Sequence, residues 1–500
     1  VASLTLVGAV VDPSGAEDYF EIRTFENKGR SVASELIDVN GDGRTDLFVV
    51  ALVGLPPKEE RTIRVYLQGV DGKLPAKPSH VLSLPKWSAV YDVGDVRSET
   101  PGTELLLLRP SEITILSLAT PAGQRWDLEV PGPTGAGLAA DERGLEQYRI
   151  VFDEFGDEPW LLAPQLGQLT AMTATGEVKA QVALARRANF FIIPETGIIS
   201  LESDFQIFVD APKLSLGDVD GDGRTDIVSA TRHEVRVFLR NEDGGYAYEP
   251  SRILALNMVT PRDHIRGSGG VTTDARDVDG DGRLDLLVSH TQGSVRDATT
   301  TTYLFMNKGG TWKIDAPDQS LGPRSTVGSN AVYDLNGDGN MELLIAEVSF
   351  SLIEFVELLL SQEIDATLSV HQYQAGKGFD EEPLVKKRFS APFSFDTFRL
   401  KGFMPRADVD MNGDGLVDFV GSVGGEAIEV FLGDREEPWD DSTDEQDLDT
   451  RGVIHFGDVD SDGLQDFVIF DPHNFDVPIR LGRNLGNMPG TPPRFTAPSE

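Results

Sequence analysis

Asp38-Val39-Asn40-Gly41-Asp42-Gly43-Arg44-Thr45-Asp46 places acidic or amide side chains at positions 1, 3, 5 and 9 of a short loop. Hard oxygen ligands spaced by two, followed by a glycine, are the means by which a short loop wraps Ca²⁺. The glycine at position 6 permits the positive φ that a tight turn needs. A main-chain carbonyl near position 7 would add a ligand, and the acid at position 9 would close the shell. The pattern returns at Asp218, Asp220, Asp222 and Asp226; at Asp277, Asp279, Asp281 and Asp285; and at Asp334, Asn336, Asp338 and Glu342. It returns again at Asp410, Asn412, Asp414 and Asp418, and at Asp458, Asp460, Asp462 and Asp466. One copy could be a plain Asp-Gly hairpin turn. Six copies make calcium, at about six sites, the expected cofactor.

The elements that must hold these loops are strands. The helix-flanked calcium loop carries a Glu at position 12, where this chain has Val49, Ser229 or Val288. The acid comes at position 9 instead and opens a β-rich run such as Asp46-Leu47-Phe48-Val49-Val50. Each loop therefore sits in a β-hairpin. Two weaker copies, at 94–106 and 153–162, have lost ligand positions and are not expected to hold metal. First positions then fall at Asp38, Asp95, Asp153, Asp218, Asp277, Asp334, Asp410 and Asp458, about 60 residues apart. A strand leads into each loop, a second leaves it, and a third ends in a Gly-bearing turn, as in 235–244, 303–309 and 428–433. A fourth often follows, as in 80–84. Four short strands per period is the pattern of a β-propeller blade.

On these residues the chain resembles the FG-GAP/VCBS repeat, as found in the propeller of integrin α subunits. The resemblance spans residues 33–487. It implies that the loops join strands 1 and 2 of each blade on one face. The opposite face, built from the 2–3 and 4–1 loops, would bind ligands. Integrin-type propellers have seven blades. The eight periods favour an all-β propeller of eight four-stranded blades, with seven as the alternative. No Asp-x-Ser-x-Ser motif of an inserted adhesion domain is present. The whole chain, 1–500, is expected to be one propeller. Residues 1–32 would complete the last blade, with 19–29 reading as a third strand and its turn, and 488–500 would form a Pro-rich tail.

Three stretches depart from the repeat. Residues 349–364 carry a capping box, Ser351 and Glu354, and a hydrophobic staple, Phe350 and Phe355. A helix is expected there. It could pack on its own propeller or dock a partner protein through Phe350, Leu352, Phe355, Val356 and Leu359. Gly433–Asp449 crowds nine acids into the shortest interval, so that blade is expected to lack a full outer strand. His233 and His290, placed in 2–3 loops, join Arg262, His264, Arg266 and Arg296 as a basic and imidazole cluster on the face away from the acidic loops. Such a patch could grip a carboxylate or a sugar acid, or be a set of unrelated surface residues.

Composition narrows the function. With 44 Lys and Arg against 82 Asp and Glu, the net charge is −38. That opposes binding to nucleic acid, anionic lipid or polyanions. No apolar run approaches the roughly 20 residues of a membrane-spanning helix. Cysteine is absent, which excludes a disulfide scaffold, and the lack of an Asn-x-Ser/Thr sequon favours a bacterial source. The opening Val suggests a processed or trimmed chain. The expected role is a calcium-stabilised, extracytoplasmic scaffold, secreted, periplasmic or on the cell surface. It would bind a protein partner or glycan, act in adhesion, and serve as a subunit of a larger complex rather than as an enzyme. The alternatives are a calcium-dependent lectin and a polysaccharide lyase, since some such lyases are calcium-rich eight-bladed propellers.

Overall fold

The computed structural model describes residues 18–55, 58–138, 145–156, 158–185, 188–192, 205–209, 212–259, 270–293, 298–324, 327–348, 363–394, 399–400 and 403–492. Eight sheets, antiparallel except where Glu146–Gln147 pairs parallel with Val90–Gly94, form the blades of a closed ring. Blade 1 runs Arg30–Ile37, Asp46–Val53, Glu60–Tyr66 and His80–Ser83. The first strands of blades 2 to 4 are Val90–Gly94, Val151–Phe152 and Lys213–Gly217. Those of blades 5 to 8 are Gly270–Arg276, Val327–Tyr333, Arg406–Val409 and Val453–Gly457. First strands of neighbouring blades pack on one another, as in blades 4 and 5, and so lie innermost.

The second strands explain the apolar runs. Along Asp46–Val53, Leu47 and Val49 enter the core shared with blade 8, while Phe48 and Val50 enter the core shared with blade 2. A strand buried on both faces needs no polar alternation. Among the described residues there are eight hydrophobic cores, one at each boundary between adjacent blades. An open row of eight sheets would have one boundary fewer. The core between blades 8 and 1 closes the ring, and eight blades, not seven, satisfy it.

Closure uses both chain ends. Phe20–Phe25 pairs antiparallel with Ile479–Asn484, from Phe20 opposite Asn484 to Phe25 opposite Ile479. It is the fourth, outermost strand of blade 8, not the third expected from its turn-like ending, because Ile479–Asn484 already fills the third place. Phe20 enters the core of blades 7 and 8, and Phe25 that of blades 8 and 1. Gln446 of blade 7 caps the strand: its Oε1 accepts the Tyr19 and Phe20 N–H groups at 2.9 Å, and its Nε2 donates to the Phe20 carbonyl at 2.8 Å. At the inner edge Glu35 of blade 1 accepts the Tyr91 hydroxyl of blade 2 at 2.7 Å and lies 3.0 Å from His455 of blade 8.

Three insertions differ from the expected repeat. Ala188–Ile192 and Phe205–Val209 form a separate hairpin between blades 3 and 4, unannounced by any motif. The expected helix at 349–364 falls mostly outside the described residues, with Phe350, Leu352, Phe355, Val356 and Leu359 among those outside. Its last two residues, Glu363 and Ile364, open the strand Glu363–His371 instead. Alternation puts Ala366, Leu368 and Val370 into the interior there. In the nine-acid segment the outer strand of blade 7 is only Gln446–Asp447. The segment is pinned by Trp439, fully buried, whose Nε1 donates to the Val417 carbonyl at 2.9 Å.

Candidate metal centre

All six acidic loops connect the first and second strands of their blades, and all lie at one end of the ring. They occupy consecutive blades: 4, 5, 6, 7, 8 and 1. Each is built the same way. The acid at position 1 accepts the N–H of the position 6 glycine, at 2.8 Å from Gly43, 2.7 Å from Gly223, 2.8 Å from Gly282, 3.0 Å from Gly339, 2.8 Å from Gly415 and 2.8 Å from Gly463. That glycine sits in the left-handed region, as at Gly43 with φ 78°. Position 4 is left-handed too, a requirement the ligand spacing does not reveal. Five loops meet it with Gly, and the sixth with Ser461 at φ 58°.

The acid at position 9 is buried and serves as a clamp. One oxygen accepts the position 2 N–H, for example Val219 to Asp226 at 2.9 Å and Met411 to Asp418 at 2.7 Å. The other accepts an N–H from the end of the third strand or just past it: Gln68 to Asp46, Arg240 to Asp226, Asn307 to Asp285, Gly433 to Asp418 and Asn484 to Asp466, at 2.6 to 2.8 Å. Burial pushes Asp46, Asp226 and Asp418 up to about 6, and Asp285, Glu342 and Asp466 up to about 7. Neighbouring loop carboxylates add to the rise. These groups want a cation or a proton.

Among the described residues, three clusters bring carboxylate oxygens within 4.8 Å of one another: Asp218, Asp220 and Asp226; Asp277, Asp279 and Asp285; and Asp458, Asp460 and Asp466. Such a group could hold a metal ion. The donor set is hard oxygen throughout, which suits Ca²⁺ or Mg²⁺ rather than soft metals. Two buried oxygens, Glu342 Oε1 and Asp460 Oδ1, have no hydrogen-bond partner. A buried acceptor left open in this way fits a bound cation. In the loops with Asn at position 3, Asn40, Asn336 and Asn412 place Oδ1 towards the position 5 N–H at 3.1, 3.0 and 3.1 Å. Where Arg stands at position 7, as Arg44, Arg224 and Arg283, it pairs with Asp42, Asp222 and Asp281.

Blades 2 and 3 replace ligands with Arg–aromatic clamps. In blade 2 position 3 is Arg97, stacked 4.4 Å over Trp126 and donating to the Ala174 carbonyl of blade 3 at 2.6 Å. Glu104 keeps the clamp role by accepting the Val96 N–H at 3.0 Å. In blade 3 position 3 is Phe155, stacked on Trp160 at 4.4 Å, with Arg240 of blade 4 lying 5.4 Å from the Trp160 ring and donating to the Phe155 carbonyl at 3.0 Å.

At the opposite face, His233 lies in the 2–3 loop of blade 4, its N–H donating to Thr231 Oγ1 at 3.3 Å. His290 is not in a loop. It sits within Asp285–Gln292, buried, 3.2 Å from Gln292. A longer strand than the motif implies carries it inside. Arg262, His264, Arg266 and Arg296 fall outside the described residues. Sequence reasoning passed over Arg232, beside His233, whose Nε and Nη2 are buried with no hydrogen-bond partner. It also passed over Gln68, Asn307 and Asn484, signalled only by their place before the Gly-bearing turn.

The FG-GAP-like repeat matches residues 218–288 and 277–345. No curated protein matches the chain. Among solved structures, a lectin of Agrocybe aegerita that recognises non-reducing terminal N-acetylglucosamine is 13% identical, with TM-score 0.40 over 94% of this chain and 96% of its own. Sqt1 from Chaetomium thermophilum is 9% identical, with TM-score 0.46 over 93% and 98%. The rhamnogalacturonan lyase YesW is 13% identical, with TM-score 0.32 over 92% and 68%. No helix among the described residues is long and apolar enough to cross a membrane.

Proposed function

Starting from an eight-bladed β-propeller with FG-GAP-like repeats, we propose that this is a calcium-stiffened extracytoplasmic scaffold that offers the face opposite its acidic loops to a protein partner. The observation behind this reading is the repeated build of the six loops, each with a buried position 9 carboxylate held at a raised affinity for protons. The ligands would be the four side chains at positions 1, 3, 5 and 9 of each loop. Bound there, Ca²⁺ would neutralise their mutual repulsion and stiffen one rim of the ring. The other rim stays free for recognition. The test is native mass spectrometry of protein isolated from its source in millimolar calcium. A mass above one chain, with a second protein present, supports a complex subunit. A bare monomer that carries no partner contradicts it.

A second reading has one observation in its favour. The Arg232 guanidinium, with Nε and Nη2 lacking hydrogen-bond partners in a chain with an excess of acids, suits a carboxylate ligand such as an acidic glycan. Binding of polygalacturonate that is lost in Arg232→Ala would favour this reading over protein docking.

A further inference from the structure

Gln68, Asn307 and Asn484 tie neighbouring acidic loops together in one repeated arrangement. Each stands at or just past the end of the third strand of its blade. Each main-chain N–H donates to its own position 9 carboxylate: Gln68 to Asp46 at 2.7 Å, Asn307 to Asp285 at 2.7 Å and Asn484 to Asp466 at 2.6 Å. Each side-chain amide then donates twice. One bond goes to the position 8 carbonyl of the same loop, at 3.1 Å to Thr45, 3.1 Å to Leu284 and 3.2 Å to Gln465. The other goes to the position 2 carbonyl of the preceding blade: Val459 for Gln68, Val219 for Asn307 at 2.7 Å and Met411 for Asn484 at 2.7 Å.

Position 2 lies between the ligand positions 1 and 3, and its own N–H donates to the position 9 carboxylate of that preceding loop. Hydrogen bonds therefore run unbroken from one clamp carboxylate to the next. Asp418, Met411, Asn484, Asp466, Val459, Gln68 and Asp46 form one such chain through blades 7, 8 and 1. Asp226, Val219, Asn307 and Asp285 form a second through blades 4 and 5. Blade 6 has no such amide link. Gly433 of blade 7 donates to the clamp Asp418 but has no side chain to reach back, and the position 2 carbonyl of Leu335 instead accepts the Val417 N–H of the blade 7 loop at 3.1 Å.

We infer that the three amides couple calcium binding between adjacent loops, so that the sites of blades 7, 8 and 1 fill together and those of blades 4 and 5 fill together. This rests on the calcium reading of the loops. The physical cause is shared ordering. An ion that fixes one clamp carboxylate fixes the amide bonded to it, and that amide holds the neighbouring loop's position 2 between its ligands. The second ion then meets a loop already ordered. Couplings of this kind commonly change affinity about 5- to 150-fold.

The test is a calcium titration of the full chain by isothermal calorimetry, with hydrogen exchange followed at partial occupancy. The wild type should bind with a Hill slope above one, and protection should rise in step in the loops of blades 7, 8 and 1. Asn484→Leu, close to isosteric, should retain the number of bound ions but uncouple blade 7, so that its loop gains protection at a different calcium concentration from blades 8 and 1. Asn307→Leu should separate blades 4 and 5 in the same way. Independent filling of wild-type sites, with a slope of one, overturns the coupling while leaving the calcium sites standing, and needs no variant to fold. Absence of any bound calcium overturns the calcium reading instead.

Discussion

At the scale of single residues, two features of the loops govern behaviour. Ser461 is the one non-glycine at position 4, held at φ 58° where its five counterparts are Gly. A side chain in that region costs roughly 1–2 kcal/mol, part of which a glycine loses again in the freer unfolded chain. Ser461→Gly should therefore stabilise the protein by about 0.5–1 kcal/mol, read as a higher urea midpoint with unchanged slope. An unchanged midpoint would mean that the loop relaxes around Ser461. The position 9 acids make the second expectation. In the metal-free protein burial raises them to about 6 or 7, above the carboxylate values of an unfolded chain. The folded state then holds protons that the unfolded state has released. Their contribution is complete below the unfolded values and is lost as pH rises through about 6 to 7. Melting in a chelator should thus fall in temperature from pH 5 to pH 7.5, and calcium should restore it most strongly at the higher pH. A metal-free melting temperature that climbs over this range would contradict the assignment. The three carboxylate clusters were legible in the sequence because oxygen spacing is a property of side chains. The second left-handed turn and the amides behind position 9 were not, because both depend on backbone geometry and on a neighbouring blade.

At the scale of elements, the ring divides into two sectors. Six consecutive blades rely on acidic loops, whereas blades 2 and 3 hold the same rim through Arg97 on Trp126 and Arg240 on Trp160. Removal of calcium should raise hydrogen exchange in the loops starting at Asp38, Asp218, Asp277, Asp334, Asp410 and Asp458, and leave residues 95–104 and 153–160 nearly unchanged. Uniform change around the rim would contradict the division. The outer strand Phe20–Phe25 is the other sensitive element. Phe20 packs edge-on to Phe467 at 4.9 Å, and Phe20→Ala should cost about 3–5 kcal/mol by opening the last blade. Equilibrium urea unfolding reads this directly, and a loss under about 1 kcal/mol would show that the seam is held elsewhere. The repeat and the need for closure were readable in advance. The rank of the closing strand was not, since one strand's sequence does not say which edge is vacant. Glu363 and Ile364, at the end of the expected helical segment, are strand residues because they pair with Val385–Ser394.

At the scale of the whole molecule, stability is distributed over eight equivalent cores, and no single one can be removed without opening the ring. Net charge works against this closed form. At −38, with carboxylates concentrated at one rim, the chain repels itself unless cations are bound. A ligand at about 100 times its Kd contributes about 2.7 kcal/mol per site when the unfolded chain does not bind. Six such sites would place calcium among the largest contributions to the stability of the fold. The most direct measurement is the melting temperature of the chain in millimolar calcium and again after complete removal of metal by a chelator at pH 7.5. The expected result is a fall of more than about ten degrees on removal, reversed when calcium is returned. Equal melting temperatures in the two conditions would contradict the central claim that calcium holds this propeller together.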